Sequence, residues 1–314
     1  MNTKKALKDA LYSIARVISP RLVKVIIYLR NIGVVNDLLK KQANAYTYTC
    51  NYPTFGEKRS IIYSIIAKND YYYILKMKRQ NNNKMRINPV KIIQFGLSEY
   101  NTFNVSRIIR SKNNAIRIAD YLMDYMKDGV LQYNFDYPIY GTNYKINAPW
   151  GSAMAQGQVL SLFARINYIT KNPKYIIAGK KVLETLDKKI EDGGFKTYFN
   201  GHPFYEEYPT KYPFYTLNGF MFCLIGLFDF YSCTEYSLSL KLFEDGIKTL
   251  KMILPYYDTT MFSLYDLGHI VQYKRKPLVN EKYHIIHINQ LIVINSIEPS
   301  DIFKYFINKW STFF

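Results

Sequence analysis

From residue 103 to residue 312 the sequence keeps one rhythm, with apolar side chains three and four apart in runs that end at turn-forming clusters. Segments near 103–128, 152–171, 173–190, 215–232, 235–253, 282–297 and 299–312 follow it. Ala115, Ile118, Leu122 and Tyr125 form one such stripe, and Phe243, Ile247 and Leu250 another. That period places each set on one face of a helix, where it must be buried against a neighbour. Gly193-Gly194, Pro209, Pro213, Pro255 and Pro277 interrupt the runs. Short links such as Thr170-Lys171-Asn172-Pro173 make the helices on either side antiparallel neighbours. Successive antiparallel pairs joined by irregular, tyrosine-bearing loops predict a mainly α fold, an incomplete α/α toroid of helical hairpins. Its long loops would gather at one end and form a ligand cleft; a simple bundle is the alternative.

The first part of the chain reads differently. Residues 5–41 look helical, with a break or restart at Pro20, and 59–80 reads as two strands around Lys68-Asn69-Asp70. The polar run at 81–84 then places a boundary near 87, separating a basic N-terminal region, 1–87, from a helical domain, 88–314. The whole chain carries a formal charge of +18, and residues 1–87 hold 17 Lys+Arg against 4 Asp+Glu. A basic end of this kind suits a polyanion or an anionic membrane surface. Zinc-finger spacing, RNP-like strands and helix-turn-helix signatures are missing, so no nucleic-acid partner is expected. The apolar stretch "LVKVIIYLRNIGVV" is interrupted by Lys24 and Arg30, too soon for a spanning helix. It reads as a packed helix, with a peripheral position in a membrane interface as the alternative. Cys50, Cys223 and Cys233 have neither metal-like spacing nor an even count, which fits a reducing compartment.

The chain has 31 tyrosines, far more than a core requires. A flat apolar face with a polar tip suits surfaces that hold sugars or bases, although an AT-rich genome would favour tyrosine as well. Chemistry concentrates in "APWGSAMAQGQ" (148–158), "FYEEYPT" (204–210), "LYDLGH" (264–269) and "KYHIIHINQ" (282–290), each at or just before a helix start. The small residues from Gly151 to Gly157 would let helix amides approach an anion, or let two helices pack closely. Glu206 and Glu207 are adjacent and so face different ways; one carboxylate beside tyrosine hydroxyls, partly desolvated, could serve as a base. His284 and His287 are three apart on a helix, but an HExxH pattern and a third ligand are lacking, so no metal site is expected. Gly-rich nucleotide loops and a GxSxG elbow are absent too.

Taken in order, the strings "SAMAQGQ" (152–158), "YEEYPT" (205–210), "LNGF" (217–220), "LIGLFD" (224–229), "YDL" (265–267) and "HINQL" (287–291) resemble the C-terminal domain of the D-glucuronyl C5-epimerases. "NPVKIIQFGLSEY" (88–100) is similar to a further family segment, so the resemblance covers about 88–312. It implies inversion at C5 of D-glucuronate within a heparosan-like polymer, giving L-iduronate by proton abstraction and reprotonation. By the resemblance, Glu207 and Tyr283 are the opposed acid/base pair, Tyr208 and Tyr265 assist at the uronate carboxylate, and Asn218 helps hold the sugar. Gln156, Tyr205, His269 and His287 complete the expected substrate contacts. Gly268 stands where relatives have an arginine, removing one partner for the carboxylate. The partner implied is an anionic uronate-containing polysaccharide. No cofactor is implied, with room left for a structural divalent cation and for a homodimer. A uronate polysaccharide lyase and a non-catalytic polysaccharide-binding protein are the competing readings. A cytoplasmic location is expected, with the basic N-terminus resting on the inner membrane face.

Overall fold

A computed structural model of the chain describes residues 86–271, 276–279 and 281–312. The expected helix at 5–41 and strands at 59–80 lie outside the described residues. The first described helix, α1 (Pro89–Ser106), begins at an Asn-Pro pair. The Asn88 side chain accepts a hydrogen bond from the Lys91 amide at 3.3 Å, and Pro89 presets the first helical φ. The helix ends where Arg107 turns left-handed, at φ 57°, with its amide donating to the Phe103 carbonyl. α2 (Ile109–Tyr125) follows at once. The single helix expected over 103–128 is therefore two helices, and the first starts fourteen residues earlier than the periodicity suggested.

Beyond a two-stranded ribbon, β1 (Tyr137–Pro138) with β2 (Lys145–Ile146), come α3 (Ala153–Thr170) and α4 (Lys174–Asp187). The hairpin β3 (Lys196–Phe199) and β4 (His202–Tyr205) precedes α5 (Leu217–Thr234) and α6 (Ser237–Ile253). The chain closes with the short α7 (Gly268–Val271), then α8 (Glu281–Ile297) and α9 (Asp301–Ser311). The β3–β4 hairpin was not anticipated. It turns at Asn200-Gly201, with φ of 49° and 82°, the pair of positive values that a tight hairpin turn demands.

The pairs α1/α2, α3/α4, α5/α6 and α8/α9 pack as hairpins, and α1, α3, α5 and α8 touch in that order as an inner row. The outer helices show one buried stripe; α2 buries only Ser111, Ala115, Ala119 and Leu122. α5 is buried on nearly every face, as a helix lined on both sides must be. The result is a mainly α arc of an α/α toroid. α5 is the one described helix long and apolar enough to cross a membrane. It lies instead between α3 and α8 and carries Asp229, buried and paired with Arg165 of α3.

Helices α3 and α5 cross at backbone distance. A Cβ on Gly226 would fall 1.8 Å from the Gly157 carbonyl oxygen, and one on Gly157 would fall 2.3 Å from the Cys223 Cα. The small residues that open α3 thus serve helix packing, the second of the two readings given above.

Candidate active site

The four inner helices all begin at one end of the arc, and a cleft of about 240 Å³ opens there. α1 contributes Asn88 and Lys91, α3 Met154, α5 Asn218 and Phe222, and α8 Tyr283 and Ile286. Glu207 and Tyr208 arrive from the segment just after β4.

Glu206 prolongs the hairpin by one residue, and the chain bends at Glu207 and Tyr208. The Glu206 amide donates to the Phe195 carbonyl at 2.8 Å, and its carbonyl accepts from Ala153 at 3.0 Å. The bend that begins at Glu207 separates the two glutamates. Glu206 turns inward and is fully buried, its Oε1 accepting the Tyr215 amide at 2.9 Å. Glu207 turns to the cleft. Gly219 in the first turn of α5 makes room for it, because a Cβ there would sit 2.5 Å from Glu207 Oε2.

Burial pushes the Glu206 carboxyl up to about 8, against the opposing pull of the Tyr215 and Phe214 amides. Burial likewise raises Glu207 to about 7; hydrogen bonding from Tyr208 and Tyr265 works against the rise, and the charge of Asp266 adds to it. A carboxyl in that range exchanges protons readily near neutrality.

Around Glu207 the tyrosines form a connected set. The Tyr208 hydroxyl shares a hydrogen bond with Tyr265 at 3.1 Å and a longer one with Tyr137 at 3.4 Å. The Tyr265 and Tyr283 rings lie 4.5 Å apart. Burial first, and then the Glu207 charge, hold Tyr208 and Tyr265 well above the ordinary phenol range and raise Tyr283 to about 12. All three are therefore neutral donors at working pH. Asn218 is 2% exposed, and its Oδ1 lacks a hydrogen-bond partner among the described residues.

The structure thus gathers Glu207, Tyr208, Tyr283 and Asn218 in the cleft, with Tyr265 directly behind Tyr208. Four residues expected to contact substrate are not among those lining it. Gln156 is fully buried; its amide donates to the Gly129 carbonyl and to Thr185 Oγ1, and its oxygen accepts the Leu131 amide. Tyr205 is equally buried and spends its hydroxyl on the Leu242 carbonyl at 2.8 Å. His287 and His284 share the hydroxyl of Ser263 through their Nδ1 atoms, at 2.7 and 2.8 Å, and burial keeps both imidazoles neutral. His269 sits half-buried on α7. For Gln156 and Tyr205 the physical reason is the same: the polar tip is consumed inside the fold; His287 is held away by its Nδ1 bond to Ser263 and its complete burial. At Gly268 the backbone amide donates to Asp266 Oδ1 at 3.0 Å, so this position serves the turn into α7.

Lys91, Tyr137 and Trp150 line the cleft as well, and the sequence reading gave them no site role. Tyr133 and Trp150 stack at 4.0 Å, and Tyr137 stacks on Tyr208 at 5.4 Å. A signal existed for this wall. Tyr133, Phe135 and Tyr137 recur every second residue, the period of one face of an extended strand.

The family described as D-glucuronyl C5-epimerase C-terminus matches residues 124–312. A D-glucuronyl C5-epimerase of Caenorhabditis elegans is 32% identical over 173 residues, covering 51% of this chain and 28% of that protein. An uncharacterized protein of Methanocaldococcus jannaschii is 27% identical over 186 residues, covering 58% of this chain and 56% of the other. The chain therefore spans between about a quarter and just over half the length of these two curated relatives. Among solved structures, the unsaturated glucuronyl hydrolase from Bacillus sp. GL1 superposes with a TM-score of 0.48 at 15% identity, covering 71% of this chain and 60% of that one. A family 76 glycoside hydrolase from a Bacteroides thetaiotaomicron strain gives a TM-score of 0.46 at 15% identity, with 70% and 44% covered.

Proposed function

The chain belongs to the D-glucuronyl C5-epimerase C-terminal family, and on that premise we propose that it inverts C5 of D-glucuronate residues within a heparosan-like polysaccharide. The observation that carries this reading is Glu207, raised to about 7 and facing a cleft that also holds Tyr208 and Tyr283. The C5 hydrogen lies α to a carboxylate. Glu207 takes it as a proton, and the C–H electron pair passes into the carboxylate to give an enediolate-like dianion. Tyr283 then delivers its hydroxyl proton to C5 from the other face of the ring; its phenolate regains a proton from solvent as Glu207 releases the captured one. A phenol held near 12 is a competent donor and a poor base, so the step from glucuronate to iduronate uses Tyr283 in its resting state and Glu207 in the ionised form that coexists with the acid near neutrality. The Tyr208 hydroxyl donates to the developing negative charge, where a water-poor site makes such a bond most effective, and Tyr265 behind it supports that donor through their shared hydrogen bond. Asn218 offers its buried Oδ1 to a sugar hydroxyl. The competing lyase reaction begins with the same proton but expels the C4 oxygen.

The test is NMR of a glucuronate-containing polysaccharide incubated with the protein in deuterium oxide. C5 deuterium with new iduronate signals is expected, together with a loss of at least about 100-fold in Glu207→Gln and Tyr283→Phe. New absorbance from an unsaturated uronate would identify a lyase instead. Exchange that persists in both variants would overturn the assignment of roles.

A further inference from the structure

We propose that Lys91 is the residue by which the cleft reads the carboxylate of the uronate, an inference that rests on the reading just given. Among the described residues that line the cleft, Lys91 is the sole basic side chain. Everything else there is aromatic, aliphatic, neutral polar or, in Glu207, acidic. A uronate carboxylate entering beside Glu207 meets another carboxylate in a water-poor cavity, and like charges in such surroundings repel strongly. Neutral tyrosine hydroxyls soften that repulsion without reversing it. A cation on the cleft wall reverses it.

The position is built into the fold. Lys91 stands in the first turn of α1, whose backbone is fixed by the Asn88 cap at 3.3 Å from the Lys91 amide and by Pro89. Lys91 thus reaches the cleft from a helix terminus of defined direction, on the inner helix at the start of the arc. Gly268, lacking any side chain, supplies no charge from the α7 side, and its amide is engaged by Asp266. Lys91 also bears on turnover. Removing the C5 proton moves a second negative charge onto the carboxylate, so the ammonium stabilises the dianion more than the bound substrate. Losing it should therefore raise KM and lower kcat together.

The experiment compares binding of a glucuronate-containing oligosaccharide with binding of its carboxyl-reduced counterpart, in which glucose replaces glucuronate. Wild type is expected to prefer the uronate by about ten-fold or more, the value of a charge-assisted contact. Lys91→Met should lose most of that preference while keeping its affinity for the reduced sugar. Lys91→Arg should retain the preference. Thermal melting of both variants confirms that the fold is intact. A Lys91→Met protein with the full uronate preference overturns the assignment and leaves the uronate reading standing. A wild-type protein with no preference overturns both.

Discussion

Glu206 and Glu207 are both drawn into the interior, and burial raises both carboxyls, to about 8 and about 7. An ordinary carboxyl titrates near 4.3, so the unfolded chain ionises first as pH rises. The stability that each neutral acid confers is complete below that value and is lost as pH climbs towards the folded one. Glu206→Gln keeps an oxygen for the Tyr215 amide and removes one titration. Between about pH 5 and pH 8 the wild-type protein should lose stability more steeply than this variant, by urea unfolding at each pH. Equal slopes would mean that Glu206 is ionised in the folded state. Adjacency alone indicated that the two glutamates would differ, since neighbouring side chains face different ways in most backbone conformations. The sequence did not reveal that Gln156 and Tyr205 spend their polar tips internally, or that His287 is buried against Ser263. A glutamine bonded to Gly129, Leu131 and Thr185 looks, as a string of letters, the same as one bonded to a sugar.

Among the elements, periodicity and breakers located α3, α4, α5, α6, α8 and α9 to within a few residues, because each has a strong apolar stripe or is apolar throughout. α1 was misplaced. Its polar and small residues, Gly96, Ser98, Asn101 and Thr102, blur the period, although the Asn88-Pro89 start signal was present. The β3–β4 hairpin was hidden because its strands are four residues each, and only Asn200-Gly201 marked it. Pairing between helices is the part that no local signal carries. The α3–α5 contact depends on two glycines 69 positions apart in sequence, and it sets where Met154 and Asn218 stand relative to each other. Gly226→Ala must push the helices apart, since its Cβ would lie 1.8 Å from a carbonyl oxygen. Destabilisation of about 1–3 kcal/mol is expected, with polysaccharide turnover falling further than stability alone explains. Calorimetry and the exchange assay on one sample separate the two effects.

At the scale of the whole molecule, the inner helices share a polarity. α1, α3, α5 and α8 all present their N-terminal ends, which carry partial positive charge, to the cleft. The full chain adds a net charge of +18. Such a field draws an anionic polymer from a distance, and salt weakens it. Affinity for a uronate polymer should fall roughly ten-fold between about 50 and about 200 mM salt, while that for a neutral polymer stays level. The protein brings its own indicator for that measurement. Of its two tryptophans, Trp150 stands in the cleft wall against Tyr133, whereas Trp310 is buried on α9 beside His284. Indole emission therefore divides into a part that a sugar can quench or shift and a part that stays constant. Each titration carries its internal reference, and no dye need be attached.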